Sequence, residues 1–293
     1  MRADWLSPEL IRRLEAMELA VRWVRAGTRL GGRYSVNRRG SSIEFADYSP
    51  YAPGDDIRSI DWSLYARLDR LFVKTYKEEI ALSVEVLVDA TPSMGFPADK
   101  FERAKRIAVC LGYVALADRH HVRLSWVSAG RTETSPWWTQ RSDLPRLLQA
   151  ADKGRVGKQT VIAEWIRRAA LTLKIRGGQA VFITDGMSRP ADFFRAMHLL
   201  MVRHMEIKVI QVISPQELHP GKAFQSGSVV DAETEMETQL AYSPAELERA
   251  MADHNENLAR FCKKNGITFV QHRLDQPLDA FVTKTLPAHG VLT

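Results

Sequence analysis

The chain has 293 residues, of which 45% are hydrophobic, so it is long enough for about two domains and apolar enough to exclude wholesale disorder. The formal charge of +6 is concentrated near the amino terminus, because residues 1–40 carry nine arginines and four acidic residues. Two cysteines without CxxC spacing exclude a disulfide framework and predict a reducing compartment.

Neither a signal peptide nor a membrane span is predicted. The amino terminus lacks a charged region followed by an apolar one. The longest apolar run, residues 107–117, falls short of the roughly 20 residues that a spanning helix needs. We therefore expect a cytoplasmic protein without a membrane span.

The first 80 residues predict two different segments. Ser7-Pro8 is typical of a helix start, and an apolar stripe continues to Gly27, so residues 1–27 are predicted to form an amino-terminal helix. Frequent glycine and proline divide residues 28–80 into short pieces. This second segment is predicted to be a small, irregular β-rich unit, shaped as a small barrel or a hairpin cap, with one strand at 71–76.

From residue 81 onwards, apolar runs of strand length alternate with helical patterns. The predicted strands are 83–89, 122–127, 180–184, 207–213 and 267–272, with a hairpin at 229–241; the predicted helices are 99–117, 142–152, 160–173, 190–204, 244–265 and 278–286. Helical crossovers between strands indicate a mainly parallel sheet. We therefore predict a doubly wound α/β domain over residues 81–293.

Five polar residues of this predicted domain lie at or just after the end of a strand, or at the start of a helix. Asp89 ends a buried strand and is followed by Thr91 and Ser93, while Asp185 directly follows another buried strand. Thr160 lies at the predicted start of a helix after a glycine-rich loop. Because open α/β sheets bind ligands outside the carboxyl ends of their strands, we expect these five side chains to converge there.

Two carboxylates and three hydroxyls are hard oxygen ligands, which suit Mg²⁺ or Mn²⁺. The pattern Asp89-x-Thr91-x-Ser93, followed by Thr160 and Asp185, resembles the metal-ion-dependent adhesion site of von Willebrand factor A domains. The resemblance implies a metal that binds an acidic residue of a partner protein and a site that catalyses nothing. We expect the hydroxyls to bind the metal directly and the carboxylates to support it from further away. Singly, each residue is also explained as a turn residue or a helix cap.

A phosphatase of the haloacid-dehalogenase type also places an Asp at the end of its first strand. In those enzymes a second Asp, the general acid, follows two residues later, and here that position is Thr91. Lys153 and Lys158 are only loose candidates for a phosphate clamp. Phosphoryl transfer is therefore not favoured.

A second dense motif occupies residues 40–67, where acidic residues alternate with arginines and aromatics. One interpretation of Asp47, Asp55, Asp56 and Asp61 is the metal cluster of a nuclease, but no His or Lys base accompanies them. The alternative is structural: buried Asp–Arg pairs that hold an irregular segment together, because buried charges need partners.

The same segment resembles the signature of a bacterial family known as domain of unknown function 58. The matching residues are Glu44-Phe45-x-Asp47-Tyr48, Tyr51-x-Pro53-Gly54-Asp55-Asp56-x-Arg58-x-Ile60-Asp61-Trp62, Ala66-Arg67, Val73-Lys74 and Glu78-Glu79. The resemblance covers roughly residues 25–290 and implies a von Willebrand factor A-like domain after the signature.

Members of that family are commonly encoded beside MoxR-type AAA+ ATPases. The resemblance therefore implies a non-enzymatic, metal-dependent adaptor for such an ATPase and a client protein, which is bound through an acidic residue at the metal. The alternative hypothesis is a nucleic-acid-binding protein or nuclease that uses the basic amino-terminal helix and the acidic cluster at 44–61. No recognised nucleic-acid motif is present, so we favour the adaptor.

Overall fold

The computed structural model describes residues 5–20, 44–77, 81–128, 131–157, 178–220, 228–230, 237–239 and 243–293. The chain divides into two compact units. The large unit comprises Met1–Ala26 together with Leu82–Thr293, and the small unit is Gly27–Ala81.

The amino-terminal helix, α1, spans only Pro8–Leu14 and is shorter than predicted. It begins as the sequence indicates, because the Ser7 hydroxyl accepts a hydrogen bond from the backbone N–H of Leu10. Beyond the helix, Leu19 forms an antiparallel bridge with Leu292. This pairing with the carboxyl terminus requires extended backbone, so the prediction of one helix over residues 1–27 is wrong as far as residue 20. Residues 21–27 lie outside the described ranges.

Both chain ends are tied to the central sheet by buried polar side chains. The ammonium group of Lys208 donates hydrogen bonds to the backbone carbonyls of Ala20 and Val291, at 2.5 and 2.9 Å. The amide nitrogen of Gln179 also donates to the Ala20 carbonyl, at 3.0 Å. These bonds add side-chain donors to the backbone hydrogen bond that the N–H of Ala20 donates to the Val291 carbonyl, at 3.1 Å.

The described part of the small unit contains one antiparallel strand pair. Strand β1 (Glu44–Pro50) pairs with β2 (Phe72–Lys77), close to the predicted strand at 71–76. Helix α2 (Trp62–Leu68) lies between them in the chain. We did not predict this helix. The described residues form a hairpin with a helical connection, and the rest of the predicted β-rich unit lies outside the described ranges.

A six-stranded sheet forms the centre of the large unit. Its strands are β3 (Ser83–Asp89), β4 (His121–Ser128), β5 (Arg131–Thr134), β6 (Gln179–Thr184), β7 (Glu206–Ile213) and β10 (Thr268–Arg273), while β8 (Ser228–Val230) and β9 (Glu237–Gln239) form a separate antiparallel pair. The order is β10-β7-β6-β3-β4-β5, and only β5 runs antiparallel to its neighbour. The mainly parallel α/β fold is thus confirmed.

The strand order places a topological switch point between β3 and β6. From β3 the chain proceeds to β4 on one side, and it later returns to β6 on the other side of β3. At such a point the connections leave in opposite directions and open a crevice at the carboxyl ends of the strands.

Helices cover both faces of this sheet. They are α3 (Ala98–Ala117), α4 (Leu144–Lys153), α5 (Pro190–Val202), α6 (Pro215–Leu218) and α7 (Pro244–Lys264), followed by three short closing pieces, Leu278–Ala280, Phe281–Thr285 and Leu286–Ala288. The short helix α6 was not predicted, and the helix predicted at 160–173 lies outside the described residues. Among the described residues, no helix combines the length and the apolar composition needed to cross a bilayer.

The core has one apolar layer on each face of the sheet. Val86 on β3 packs within the layer that includes α3, whereas Phe182 on β6 packs against Phe193 of α5 with ring centroids 6.2 Å apart. Cys110 and Cys262 lie in α3 and α7, and both are buried and free. Burial raises the pKa of each thiol to about 12, so both cysteines are packing residues without a reactive thiolate.

Candidate metal centre

Three of the predicted site residues form one hydrogen-bonded chain after strand β3. The carboxylate of Asp89 accepts hydrogen bonds at Oδ1 from the backbone N–H of Thr91, at 2.9 Å, and from the Thr91 hydroxyl, at 2.7 Å. The hydroxyls of Thr91 and Ser93 are 3.1 Å apart. The 3₁₀ turn Pro92–Gly95 follows Thr91 and contains Ser93, so the hydroxyl of Ser93 reaches the carboxylate only through that of Thr91.

A threonine from the neighbouring strand joins this chain. Thr184, the last residue of β6, donates its hydroxyl to Asp89 Oδ2 at 2.6 Å and accepts the backbone N–H of Gly186 at 3.0 Å. The two strands are direct neighbours, with Val88 opposite Ile183. The switch point therefore brings the ends of β3 and β6 together, as the sequence predicts.

Asp185, the next residue, lies beside this cluster and has its own partners. Its Oδ1 accepts the backbone N–H of Met187 at 3.0 Å, and its Oδ2 accepts a hydrogen bond from the ammonium group of Lys100 at 2.9 Å. Burial and then the negative charge of Asp185 raise the pKa of Asp89 to about 7. The two carboxylates thus lie near enough to influence each other.

The fifth predicted ligand, Thr160, lies outside the described residues. The structure brings Asp89, Thr91 and Ser93 into direct contact and places Asp185 beside them. The predicted convergence at the switch point therefore extends to four of the five residues.

Lys100 and Glu217 complete the charge pattern of the site. Lys100 is fully buried in the first turn of α3, and its ammonium group contacts both Asp185 and Glu217, the latter at 2.5 Å. Burial alone would lower the pKa of Lys100, but the two carboxylates outweigh burial and raise it. Lys100 is therefore a permanent cation within the site.

We did not predict Thr184, Lys100 or Glu217 as site residues. A signal existed for Lys100, because its spacing to Ala104 and Ile107 places it on the apolar stripe of α3. Thr184 was a polar residue at the end of an otherwise apolar strand. Glu217 forms a capping box with Ser214, which gave only a local structural signal.

The donor set fits a hard divalent cation only if the hydroxyls take part. In the parts of the chain described above, no three His, Cys, Asp or Glu side chains are grouped so that they could hold a metal by themselves. Asp89, Thr91 and Ser93 nevertheless offer contiguous oxygen atoms, and oxygen ligands suit Mg²⁺ and Mn²⁺. The cluster therefore fits a metal that is held mainly by hydroxyls and supported by carboxylates.

An open cleft of about 470 Å³ borders the site loop. Gly95 from the loop, Phe101 from α3 and Val156 from the segment after α4 line it, together with charged side chains that include Glu102 and Arg155. Phe96, the residue after Gly95, is 63% exposed. The metal-site loop thus adjoins a surface with both apolar and charged groups.

The second acidic cluster does not form a metal site in the described residues. Asp55 accepts the backbone N–H of Ala52, Asp56 accepts that of Arg58, and Asp61 accepts those of Ser63 and Leu64. Asp55 and Asp56 are exposed, so the expectation that they form buried Asp–Arg pairs is wrong. The backbone N–H groups at turn and helix starts bind these carboxylates instead. The side chain of Asp47 is not among those described.

We expect Asp61→Ala to lower the free energy of unfolding of the small unit by about 1–2 kcal/mol, because α2 loses its N-cap. The variant also loses the hydrogen bond from the Tyr48 hydroxyl. Hydrogen exchange of the backbone amides in α2 would measure the loss. Asp61→Asn is the matched control, because Asn caps helices as well as Asp does. If the backbone amides of α2 were equally protected from exchange in Asp61→Ala and Asp61→Asn, the capping role of Asp61 would be contradicted.

Similar proteins and similar solved structures were found for this chain. "Uncharacterized protein Mb1516" of Mycobacterium bovis and "Uncharacterized protein Rv1480" of Mycobacterium tuberculosis are each 25% identical over 290 residues, covering 94% of this chain and 88% of the relative. The conserved hypothetical protein BatB from Bacteroides thetaiotaomicron is 17% identical, with a TM-score of 0.44 over 71% of this chain and 98% of that one. The SpRpn10 VWA domain is 13% identical, with a TM-score of 0.45 over 71% and 96%.

The family comparison covers most of both the signature segment and the α/β domain. The family described as "Protein of unknown function DUF58" matches residues 47–259, which is more than half of the chain. The match agrees with the resemblance drawn from the acidic signature, and the chain belongs to this DUF58 family.

Proposed function

We propose that this chain is a non-enzymatic, metal-dependent protein-binding module that acts as an adaptor for a MoxR-type AAA+ ATPase and a client protein. The observation that carries the proposal is the hydrogen-bonded chain of Asp89, Thr91 and Ser93 at the switch point, with Asp185 beside it. Sites built at this position of an open α/β sheet bind ligands outside the strand ends.

In this proposal the hydroxyls of Thr91 and Ser93 hold a Mg²⁺ or Mn²⁺ ion, and Asp89 and Asp185 supply negative charge around it. The metal, when bound, supplies a positive centre for a carboxylate of the partner protein. Asp89 orients the Thr91 hydroxyl by accepting its hydrogen bond, and Thr184 holds the second oxygen of Asp89 in place. Such support from surrounding hydrogen bonds is typical of metal sites.

The surroundings of Asp89 support binding over catalysis. Both oxygens of the carboxylate are engaged in hydrogen bonds from Thr91 and Thr184. A nucleophilic Asp needs an oxygen directed at its substrate, and phosphatases of the type considered above also need a second acid where this chain has Thr91. The bonded carboxylate is better suited to orienting ligands than to attacking a substrate.

The surface around the site supports a protein partner. The cleft beside the loop and the exposed ring of Phe96 provide apolar contact next to a place for a carboxylate. Exposed aromatic side chains beside polar groups are common in protein interfaces. The ATPase as partner comes from the family resemblance alone. We also propose that the protein is located in the cytoplasm.

The test is recovery of the tagged full-length protein from its native host in Mg²⁺ and again in EDTA, with mass spectrometry of what accompanies it. We expect a MoxR-type AAA+ ATPase that is retained in Mg²⁺ and lost in EDTA. Fractionation of the same cells should place the complex in the cytosol. Equal recovery of the ATPase under both conditions, or its absence under both, would overturn the metal-dependent adaptor. Co-purified nucleic acid would favour the alternative instead.

A further inference from the structure

Lys100 occupies an unusual position for a lysine. Its side chain is fully buried, although lysine is almost never buried without partners. Its ammonium group lies 2.9 Å from Asp185 Oδ2 and 2.5 Å from Glu217 Oε1. One of these carboxylates belongs to the candidate metal centre, so Lys100 already places a positive charge there.

The ammonium group of Lys100 offsets part of the negative charge that would attract a divalent cation to the site. Asp89, Asp185 and Glu217 contribute three carboxylates, and Lys100 contributes one ammonium group. Counted as fully ionised, these four groups leave a formal excess of two negative charges, which one divalent ion would neutralise. Without the ammonium group, the excess would be three, and Asp185 would lose the partner of its Oδ2 atom.

We propose that Lys100 is a built-in cation that shares the carboxylates of the metal centre, so that removing its charge tightens the binding of a divalent ion. The proposal deepens the function proposed above and rests on it, because it concerns the same site. The ammonium group repels an incoming cation and occupies one oxygen of Asp185, and both effects weaken metal binding. Lys100 is therefore a residue that limits metal affinity and keeps binding reversible.

A purely structural role for Lys100 predicts a different outcome. If the ammonium group served only to join α3 to Asp185 and to α6, its removal would destabilise the fold without tightening metal binding. Breaking a buried ion pair by removing one partner is strongly destabilising in general. Metal affinity, measured separately from stability, distinguishes the two roles.

The experiment is a titration of the purified full chain with Mn²⁺ at one fixed pH. Calorimetry measures the binding, and the electron paramagnetic resonance of free Mn²⁺ measures it independently. We expect Lys100→Met to lower the dissociation constant for Mn²⁺ by about 10- to 100-fold, the range over which groups around metal ligands alter affinity. The double variant Lys100→Met/Glu217→Gln restores the formal excess of two negative charges, and its affinity should return towards that of the wild type.

Two further variants keep the test decisive. Lys208→Met removes another fully buried ammonium group, whose described acceptors are the backbone carbonyls of Ala20 and Val291, and it should leave Mn²⁺ affinity unchanged. Glu217→Gln alone lowers the negative charge while Lys100 remains, and it should weaken Mn²⁺ binding. If Lys100→Met does not fold, the result for Glu217→Gln decides: unchanged affinity would overturn the proposal.

The outcomes separate this proposal from the proposed function. If the wild type binds Mn²⁺ and Lys100→Met binds it no more tightly, the role of Lys100 is refuted while the metal-dependent module stands. If only Lys100→Met binds Mn²⁺, Lys100 is the resident cation of the site, and the metal-dependent function of the wild type is refuted. If neither binds Mn²⁺, both proposals are refuted.

Discussion

Replacing Asp89 by Asn is expected to weaken Mg²⁺ binding by about 100-fold and to abolish Mg²⁺-dependent association with the partner. Asn has the shape of Asp and keeps an oxygen that can accept the hydrogen bonds from Thr91. It removes the negative charge, however, so the hydrogen bond that orients the Thr91 hydroxyl becomes weaker. Calorimetric titration with Mg²⁺ measures the affinity, and recovery of the ATPase measures the association.

Thermal unfolding provides a second measurement of the same substitution. At a Mg²⁺ concentration 100 times the dissociation constant, the wild type should gain about 2.7 kcal/mol of stability, and Asp89→Asn should lose most of that gain. Without metal, the variant should be at least as stable as the wild type, because burial and the charge of Asp185 both disfavour an ionised Asp89.

The matched control is Asp253→Asn, which removes a carboxylate from an exposed position on α7. It should leave both Mg²⁺ affinity and partner recovery at the wild-type level. If Asp89→Asn bound Mg²⁺ and the partner as the wild type does, a metal bridge through this site would be ruled out. A variant that loses its fold without metal would also contradict the expected stability.

Acidification below pH 6.5 is expected to lower the free energy of unfolding through His272, by up to about 1.4 kcal/mol per pH unit. His272 is fully buried on β10, and its Nε2 atom lies 3.0 Å from the guanidinium nitrogen Nη1 of Arg103. Because a guanidinium group only donates, Nε2 must accept, and the imidazole ring is neutral. Burial, and then the charge of Arg103, lower the pKa of His272 to about 3.

The direction of this pH effect follows from the different pKa of His272 in the folded and unfolded chain. The unfolded chain binds a proton at the ordinary histidine pKa of about 6.5, whereas the folded protein resists protonation until about pH 3. The stability that the neutral ring contributes is therefore fully present above pH 6.5 and is lost progressively as the pH falls towards 3. A protonated ring would also place two donors face to face at Arg103.

Urea unfolding of the wild type and of His272→Gln over this pH range measures the effect. Gln offers an oxygen to Arg103 but does not titrate. Above pH 6.5 the two unfolding free energies should differ by a constant amount, and below it the wild type should lose stability faster. Curves that remain parallel down to pH 4 would show that His272 is not the group responsible.

The carboxyl ends of β3 and β6 could be predicted because their signal is local. Each strand is an apolar run followed by a polar residue, and the strand–helix alternation indicates that such ends share one edge of the sheet. Asp89 and Asp185 were found in this way. The length of α1 could not be predicted in this way, because the apolar stripe after Leu14 continues a helical pattern. Its end is set by pairing with Leu292, at the other end of the chain.

The ammonium group at the metal centre depends on contacts that no short window of sequence contains. Lys100 meets Asp185 and Glu217, which are 85 and 117 residues away in the chain. The helical spacing of Lys100 indicates the face of α3 on which it lies, but the two carboxylates that it meets there are known only from tertiary contacts. The capping roles of Asp56 and Asp61 were readable in principle, because each immediately precedes a helical turn. The alternating acidic and basic residues of that segment instead favoured a prediction of ion pairs.

The small unit is an insertion into the large one, because the large unit contains residues on both sides of it in the chain. The last described residue before it, Ala20, accepts a hydrogen bond from Gln179, and Gln179 lies opposite Val84 at the start of β3. Within the large unit, Ala20 therefore lies near the amino-terminal ends of β6 and β3. An evolving gene can lengthen, shorten or exchange the small unit without cutting a strand of this sheet or reordering its crossovers.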